Sequence, residues 1–280
     1  MSIRSILVPL LSYEQPVAPL NAAWQLARRF GAHLDALFIR PDPAEVFTAM
    51  PNFAIAERVT MADLEEDGRQ IALAARERFD NWCAACALGV REAERGPAAS
   101  WHEHVGPVET GVIDRGRLSD LIVERFPEPH EPHALFAATA FATGRPVLLV
   151  RSEPPADLLR RVLVAWNGGL DATRAVAAAM PLLEAAGHVT VFTAPGHGGE
   201  LYCHPGLCDA LHRHGIHAEQ TWGHQRDPEA GEAILSAAAE RNASLIVMGA
   251  TPRSRIERLL FGGATRHVLR ASSLPVLLAH

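Results

Sequence analysis

Two short stretches of this chain place glycine where a ligand would want bare backbone. The first is LIVMGATPRSRIERLLFGGAT, residues 245–265, in which an apolar run meets Gly249, a basic stretch follows, and Gly262 and Gly263 close it. The second is AWNGG, residues 165–169, where Ala165 and Asn167 stand at the end of another apolar run. Glycine answers two different needs. It adopts backbone conformations that a side chain forbids, and ahead of a helix it lets N–H groups close on an anion such as phosphate. The rest of the sequence narrows the second reading. All 26 basic residues are Arg, which excludes a lysine-dependent phosphate loop, a Schiff-base lysine and a kinase-type lysine. Arg253, inside the longer stretch, supplies a guanidinium suited to phosphate oxygens.

Other residues that could do chemistry read as structure. Cys83 and Cys86 form a CAAC spacing, but within RERFDNWCAACAL, a helix interior and not the start of a helix after a strand where a thiolate is stabilised. Cys203, His204, Cys208 and His212 match no structural zinc spacing, and His212 to His214 read as a polar helix end before Gly215. The four cysteines are expected to be thiols, and no metal is predicted. FPEPHEPH, with Glu128, His130, Glu131 and His133, is proline-rich and reads as an exposed loop. No G-x-S-x-G elbow, H-E-x-x-H helix or paired-carboxylate arrangement occurs, so an enzyme has no visible nucleophile or base.

These stretches sit in a folded globular chain of 280 residues, 48% hydrophobic, with room for one large domain or two of ordinary size. A net charge of -6 and a pI near 6.2 lack the basic surplus that phosphate-backbone binding draws on, so nucleic acid is not expected as a partner. No run approaches the roughly 18 apolar residues of a membrane helix, and MSIRSILVPLLSYEQP lacks the form of a signal peptide. A soluble, cytoplasmic protein is the expectation.

The chain repeats itself. IRSILVPL (3–10) matches LRRVLVAW (159–166), GAHLDALFI (31–39) matches AGHVTVFTA (186–194), SDLIVERF (119–126) matches ASLIVMGA (243–250), and RPVLLVRS (145–152) matches LPVLLAH (274–280). Four matches in one order make a tandem repeat. Each is a short run of Val, Ile and Leu, the mark of strands buried on both faces of a parallel sheet. Helical patterns lie between them, at 16–31, 171–187 and 227–243, the last with Asp227 as N-cap and Pro228 at the first helical position. The alternation predicts a doubly wound α/β sandwich in each half, joined by a linker at 153–160. The offset between the halves shrinks along the series, so residues 42–99 hold an insertion, with a helix within 59–88 whose Ile71, Leu73, Phe79 and Trp82 need a partner surface.

The alternation, the closing PVLL strands and GATPRSRIERLLFGGATRHVLRASSLPVLLAH resemble the universal stress protein family in its tandem two-domain form, over nearly the whole chain outside 42–99. The resemblance implies two tandem doubly wound parallel five-stranded sheets, Rossmann-like and adenine nucleotide alpha hydrolase-like, in domains at 1–152 and 153–280. It also implies an internal pseudo-two-fold that brings the closing strands at 146–150 and 275–279 together. Nucleotide-binding members carry G-x-x-G, nine residues, then G-[S/T]. Here Gly249 and Gly262 fall on the first and third glycines, Pro252 replaces the second, and Gly263 replaces the Ser or Thr. Pro252 has no N–H to give; Thr265 offers a hydroxyl two residues after Gly263. An Asp that members place after the first strand is Asn167 here. On this resemblance an adenine nucleotide, ATP or AMP, sets its base near Ala165, Asn167 and Thr193 and its phosphates against Gly249, Arg253, Gly262, Gly263, Ala264 and Thr265. The first half, with Leu11 opposite Asn167 and no glycine after its fourth strand until Gly144, is expected to lack such a site. Two functions stay open: a nucleotide-responsive binding protein with at most slow ATP hydrolysis, or a ligand-free scaffold for a protein partner with a vestigial loop. The assembly is expected to be a monomer with pseudo-dimeric halves or a homodimer.

Overall fold

The structure, a computed structural model, describes residues 2–12, 17–49, 59–86, 98–126, 134–194, 206–223, 229–250 and 263–280. The first half supplies β1 (Ser5–Leu10), β2 (His33–Arg40), β3 (Ala98–Val105), β4 (Leu121–Arg125) and β5 (Val147–Val150). The second supplies β6 (Arg161–Ala165), β7 (His188–Thr193), β8 (Ala218–Trp222), β9 (Leu245–Gly249) and β10 (Val276–Ala279). All four matched pairs of sequence runs are strands. Helices in chain order are α1 (Ala18–Phe30), α2 (Pro43–Ala49), α3 (Met61–Ala85), α4 (Val108–Gly116), α5 (Ala134–Ala142), α6 (Leu170–Glu184), α7 (Gly206–Arg213), α8 (Ala230–Glu240) and α9 (Gly263–Ala271).

The expected pair of sheets is one sheet. Its order is β3-β2-β1-β4-β5-β10-β9-β6-β7-β8, parallel within each half, with β5 and β10 paired antiparallel at its centre. Leu148 lies opposite Leu277, and Leu149 opposite Val276. A two-fold axis normal to the sheet makes related strands antiparallel, so pairing two apolar closing strands satisfies both ladders and leaves neither edge bare. Each half keeps the 3-2-1-4-5 order in which the first strand has its neighbours on opposite sides, the switch point of a doubly wound sheet.

Side chains alternate between two cores. Val8, Leu34, Val123, Val164 and Val247 pack against α1, α3, α6 and α7; Leu7, Ile122, Leu163 and Ile246 pack against α4, α5, α8 and α9. The halves also clasp each other across the sheet. Arg151, just after β5, donates to the carbonyls of Leu269 at 2.8 Å and Ser272 at 3.2 Å at the end of α9, and stacks over Phe126. Reciprocally, His280, just after β10, meets the ring of Phe141 in α5 edge-on.

The inserted segment is the crossover between β2 and β3. The offset from His33 to His188 is 155 residues, and from Ala98 to Ala218 it is 120. α3 packs over the face of β2 and β3 beside α1, but its inward stripe is Ala72, Ala75, Phe79, Trp82 and Cys83. Phe79 and Trp82 therefore face inward as expected, whereas Ile71 and Leu73 are 41% and 59% exposed. Small alanines let the helix close on the sheet, and their neighbours at ±100° point away. Phe79 meets Trp101, and the Trp82 indole donates to Asn21 Oδ1 at 2.7 Å. Thr60 and Asp63 form a capping box at its start. Thr60→Ala is expected to lower stability by about 1 kcal/mol in urea denaturation, while Leu73→Ser changes it by less than about 0.5 kcal/mol. In the second half the helix of 227–243 begins later than expected. Glu229, extended at φ -147° and ψ 148°, is the N-cap that precedes the helix. Asp227 and Pro228 themselves lie outside the described residues.

Candidate functional site

In the second half the switch point falls between β6 and β9, and the residues after both strands gather there. β6 ends at Ala165, and the chain turns through Trp166, Asn167, Gly168 and Gly169 into α6. Asn167 is exposed and its Oδ1 accepts from the Gly169 N–H at 3.0 Å, a tight turn closed by the side chain. Gly168 takes φ 72°, the left-handed conformation that the turn demands. α6 then starts without a side-chain cap.

β9 ends at Gly249, and the reason for that glycine is packing. A Cβ there would lie 2.6 Å from the Asp171 carbonyl carbon and 2.7 Å from the Ala172 nitrogen, backbone atoms of the first turn of α6. Gly263 is the opposite case. It opens α9 exposed, and a Cβ there would meet nothing within 4 Å among the described residues. Ala264 is half-buried. The first N–H groups of α9 have no acceptor within the helix, and Gly249, bonded to Thr265 of α9 and packed on the first turn of α6, stands between this terminus and the helix that follows the Asn167 turn.

Two residues that the nucleotide reading enlists carry structural bonds. Thr265 is buried and its Oγ1 donates to the Gly249 carbonyl at 3.3 Å, tying α9 to β9. Its hydroxyl proton is engaged in that bond. Thr193 is buried at the end of β7, where its Oγ1 accepts from Gln220 at 3.2 Å. Pro252, Arg253 and Gly262 lie outside the described residues.

The first half departs from this pattern. Leu11, 41% exposed, follows β1 where Asn167 follows β6, and Arg125 stands where Gly249 does. Beside it Glu124 is buried beneath α5, with Oε1 accepting from Thr139 at 3.0 Å and Oε2 without a partner among the described residues. Burial pushes its pKa up to about 8, against smaller lowering by the Thr139 bond and Arg125. The signal for this acid was present in the repeat, since SDLIVERF sets Glu124 against Met248. FPEPHEPH lies outside the described residues.

A second polar cluster went unread in the sequence. On β2 and β3, Asp35 accepts from Ser100 Oγ at 3.1 Å and His102 Nε2 at 3.0 Å, and Ser5 Oγ donates to it at 3.4 Å, with His33 Nε2 against Ser100. The period-two alternation of HLD and SWH was its signal. The same His33 nitrogen faces both Ser100 Oγ and, at 3.6 Å, Asp35 Oδ1, so the ring does not bridge serine and carboxylate through its two nitrogens as in a hydrolase triad. Among the described residues no group of three or more His, Cys, Asp or Glu could hold a metal. Burial raises the Cys83 pKa to about 12 and also raises those of Cys86 and Cys208, which favours the protonated thiol. Cys203 and His204 lie outside the described residues. No helix among the described residues is long and apolar enough to cross a membrane.

Residues 209–280 match the model of the universal stress protein family. No curated protein matches the chain. Among solved structures, a universal stress protein from Archaeoglobus fulgidus DSM 4304 superposes with a TM-score of 0.64 at 19% identity, covering 99% of this chain and 96% of its own. A protein of unknown function from Pseudomonas aeruginosa PAO1 gives 0.56 at 17%, covering 99% and 92%. The cytoplasmic domain of a prokaryotic cation chloride cotransporter gives 0.51 at 12%, covering 99% and 95%. One fold thus serves proteins with different names, and function has to be argued from the site.

Proposed function

We propose that this chain, a universal stress protein by its match over residues 209–280 and by its fold, is a regulatory protein that binds an adenine nucleotide in its second half alone. What supports the reading is the switch point between β6 and β9, with the Asn167 turn following β6, Gly249 ending β9, and Gly263 opening α9 beside it through the Thr265 bond. Such an edge is where doubly wound sheets take ligands, and a helix N-terminus attracts phosphate without needing a lysine. On this reading Gly262, Gly263 and Ala264 present N–H groups to the phosphates, Arg253 adds a guanidinium, and Asn167 meets the ribose or base. Binding biases the conformation or association of the chain, and any ATP hydrolysis is slow for want of a base. The units at 1–152 and 153–280 then divide the work, the first closed and the second liganded.

A scaffold reading draws on a specific observation too. Gly249 and Thr265 have packing roles that need no ligand. Titration calorimetry with AMP and ATP separates the two. The intact chain is expected to bind, Gly262→Trp to abolish binding, and Pro252→Gly to tighten it about ten-fold or more, because a charge-directed hydrogen bond contributes about 1.5–3 kcal/mol. Silence from the intact chain at millimolar nucleotide, with binding by Pro252→Gly, would hand the loop to the scaffold reading.

A further inference from the structure

The linker at 153–160 carries no helix or strand, yet one face of α1 holds it side chain by side chain. Asn21, Gln25 and Arg29, each four residues from the next, form a polar stripe along that helix. Asn21 Nδ2 donates to both carboxylate oxygens of Glu153 at 2.9 Å. Gln25 Nε2 donates to the Pro155 carbonyl at 2.9 Å, and Gln25 Oε1 accepts from the Leu158 N–H at 3.3 Å. Arg29 donates to the Ala185 carbonyl, just after α6, at 3.3 Å. From the second half, Ser244 Oγ donates to the Leu158 carbonyl at 2.9 Å. Leu158 is thus the residue that both halves grip.

The stripe is itself held by the insertion. Trp82 of α3 is buried, and its indole N–H donates to Asn21 Oδ1 at 2.7 Å. An indole nitrogen only donates, so it turns the Asn21 amide oxygen toward α3 and the amide nitrogen toward Glu153. Without that bond the amide is free to present either end, and its oxygen repels a carboxylate. Pro154 and Pro155 fix their φ angles, so Glu153 and the two prolines move as a short stiff piece, carrying the carbonyl that Gln25 holds. Asn21 and Gln25 are half-buried and Glu153 is exposed, so these bonds lie at the rim of the apolar core.

We propose that α3 governs the linker: through Trp82 and Asn21 the insertion latches residues 153–158 against α1. Turning the indole away releases this strap while the β5–β10 ladder still holds the halves together. The latch needs no ligand and stands apart from the nucleotide reading. The test is amide hydrogen exchange in the intact chain, read at Leu158 and, as internal controls, at Leu148 and Leu277 of the central ladder. Trp82→Phe keeps an aromatic ring and removes the N–H. Exchange at Leu158 is expected to rise about ten-fold, with the ladder amides unchanged. Asn21→Asp retains an acceptor for the indole but sets a carboxylate against Glu153, and the same rise is expected. Gln25→Ala removes the acceptor of the Leu158 N–H and marks the fully released rate. Equal Leu158 exchange in the intact chain and Trp82→Phe would overturn the latch. A rise in Trp82→Phe without one in Asn21→Asp would overturn its route through Asn21. A rise at Leu148 and Leu277 as large as that at Leu158 would mean general loosening of the core and would overturn the proposal as well.

Discussion

Glu124→Met makes the protein more stable above neutral pH and flattens its stability against pH. The unfolded chain releases this proton near the ordinary value of 4.5, and the folded chain holds it to about 8. Between those values folding takes up a proton, so stability is full below about 4.5, falls as pH rises toward 8, and stays low above it. At ~1.4 kcal/mol for each pH unit of the window, the loss by pH 9 is on the order of 5 kcal/mol. The repeat supplies the replacement. Met248 occupies the equivalent place on β9 and packs in the same core. Urea denaturation between pH 5 and pH 9 reads the result; an unchanged slope in Glu124→Met would show that the carboxyl is not buried as a neutral acid.

Gly249→Ala is the second large effect, and Gly263→Ala is its control. The added carbon at 249 meets backbone at 2.6 and 2.7 Å, where no side chain can swing aside, so α6 must lift from β9. A loss of about 3 kcal/mol is expected, at the upper end of overpacking. At 263 the same change enters open space at a helix start and leaves stability within about 0.5 kcal/mol or raises it. Gly249 thus answers a further need, clearance for a neighbouring backbone, while Gly263, if nucleotide binds as proposed, leaves the first turn of α9 open to the phosphates. Thermal unfolding of both variants without ligand tests this, and equal midpoints would refute the packing role of Gly249.

The parts of this fold legible in the sequence were those in which burial on both faces leaves a run of Val, Ile and Leu. Eight of the strands were visible that way. β3 (AASWHEHV) and β8 (AEQTW) were not, because edge strands alternate polar and apolar residues and their cores are shared with a single neighbour. The direction of the α3 stripe was misjudged for a related reason: size decided it, not apolarity, since alanines approach a sheet more closely than Ile71 or Leu73 could. The site was legible only as spacing. Glycine spacing does not distinguish a backbone that must approach another backbone, as at Gly249, from one left open, as at Gly263.

The central pairing of β5 with β10 has a consequence for synthesis. Ribosomes deliver this chain from the amino end, and the first half can lay down its own five strands early. Its inner border, the apolar ladder of Val147–Val150, then waits for a neighbour that is encoded after every other strand of the sheet. Until Val276–Ala279 have emerged, the nascent half presents a bare, sticky rim to any other unfinished copy. Polysomes crowded with this message are therefore the place where misassembly between copies is most to be expected, and a premature stop before Val276 would make that transient hazard permanent.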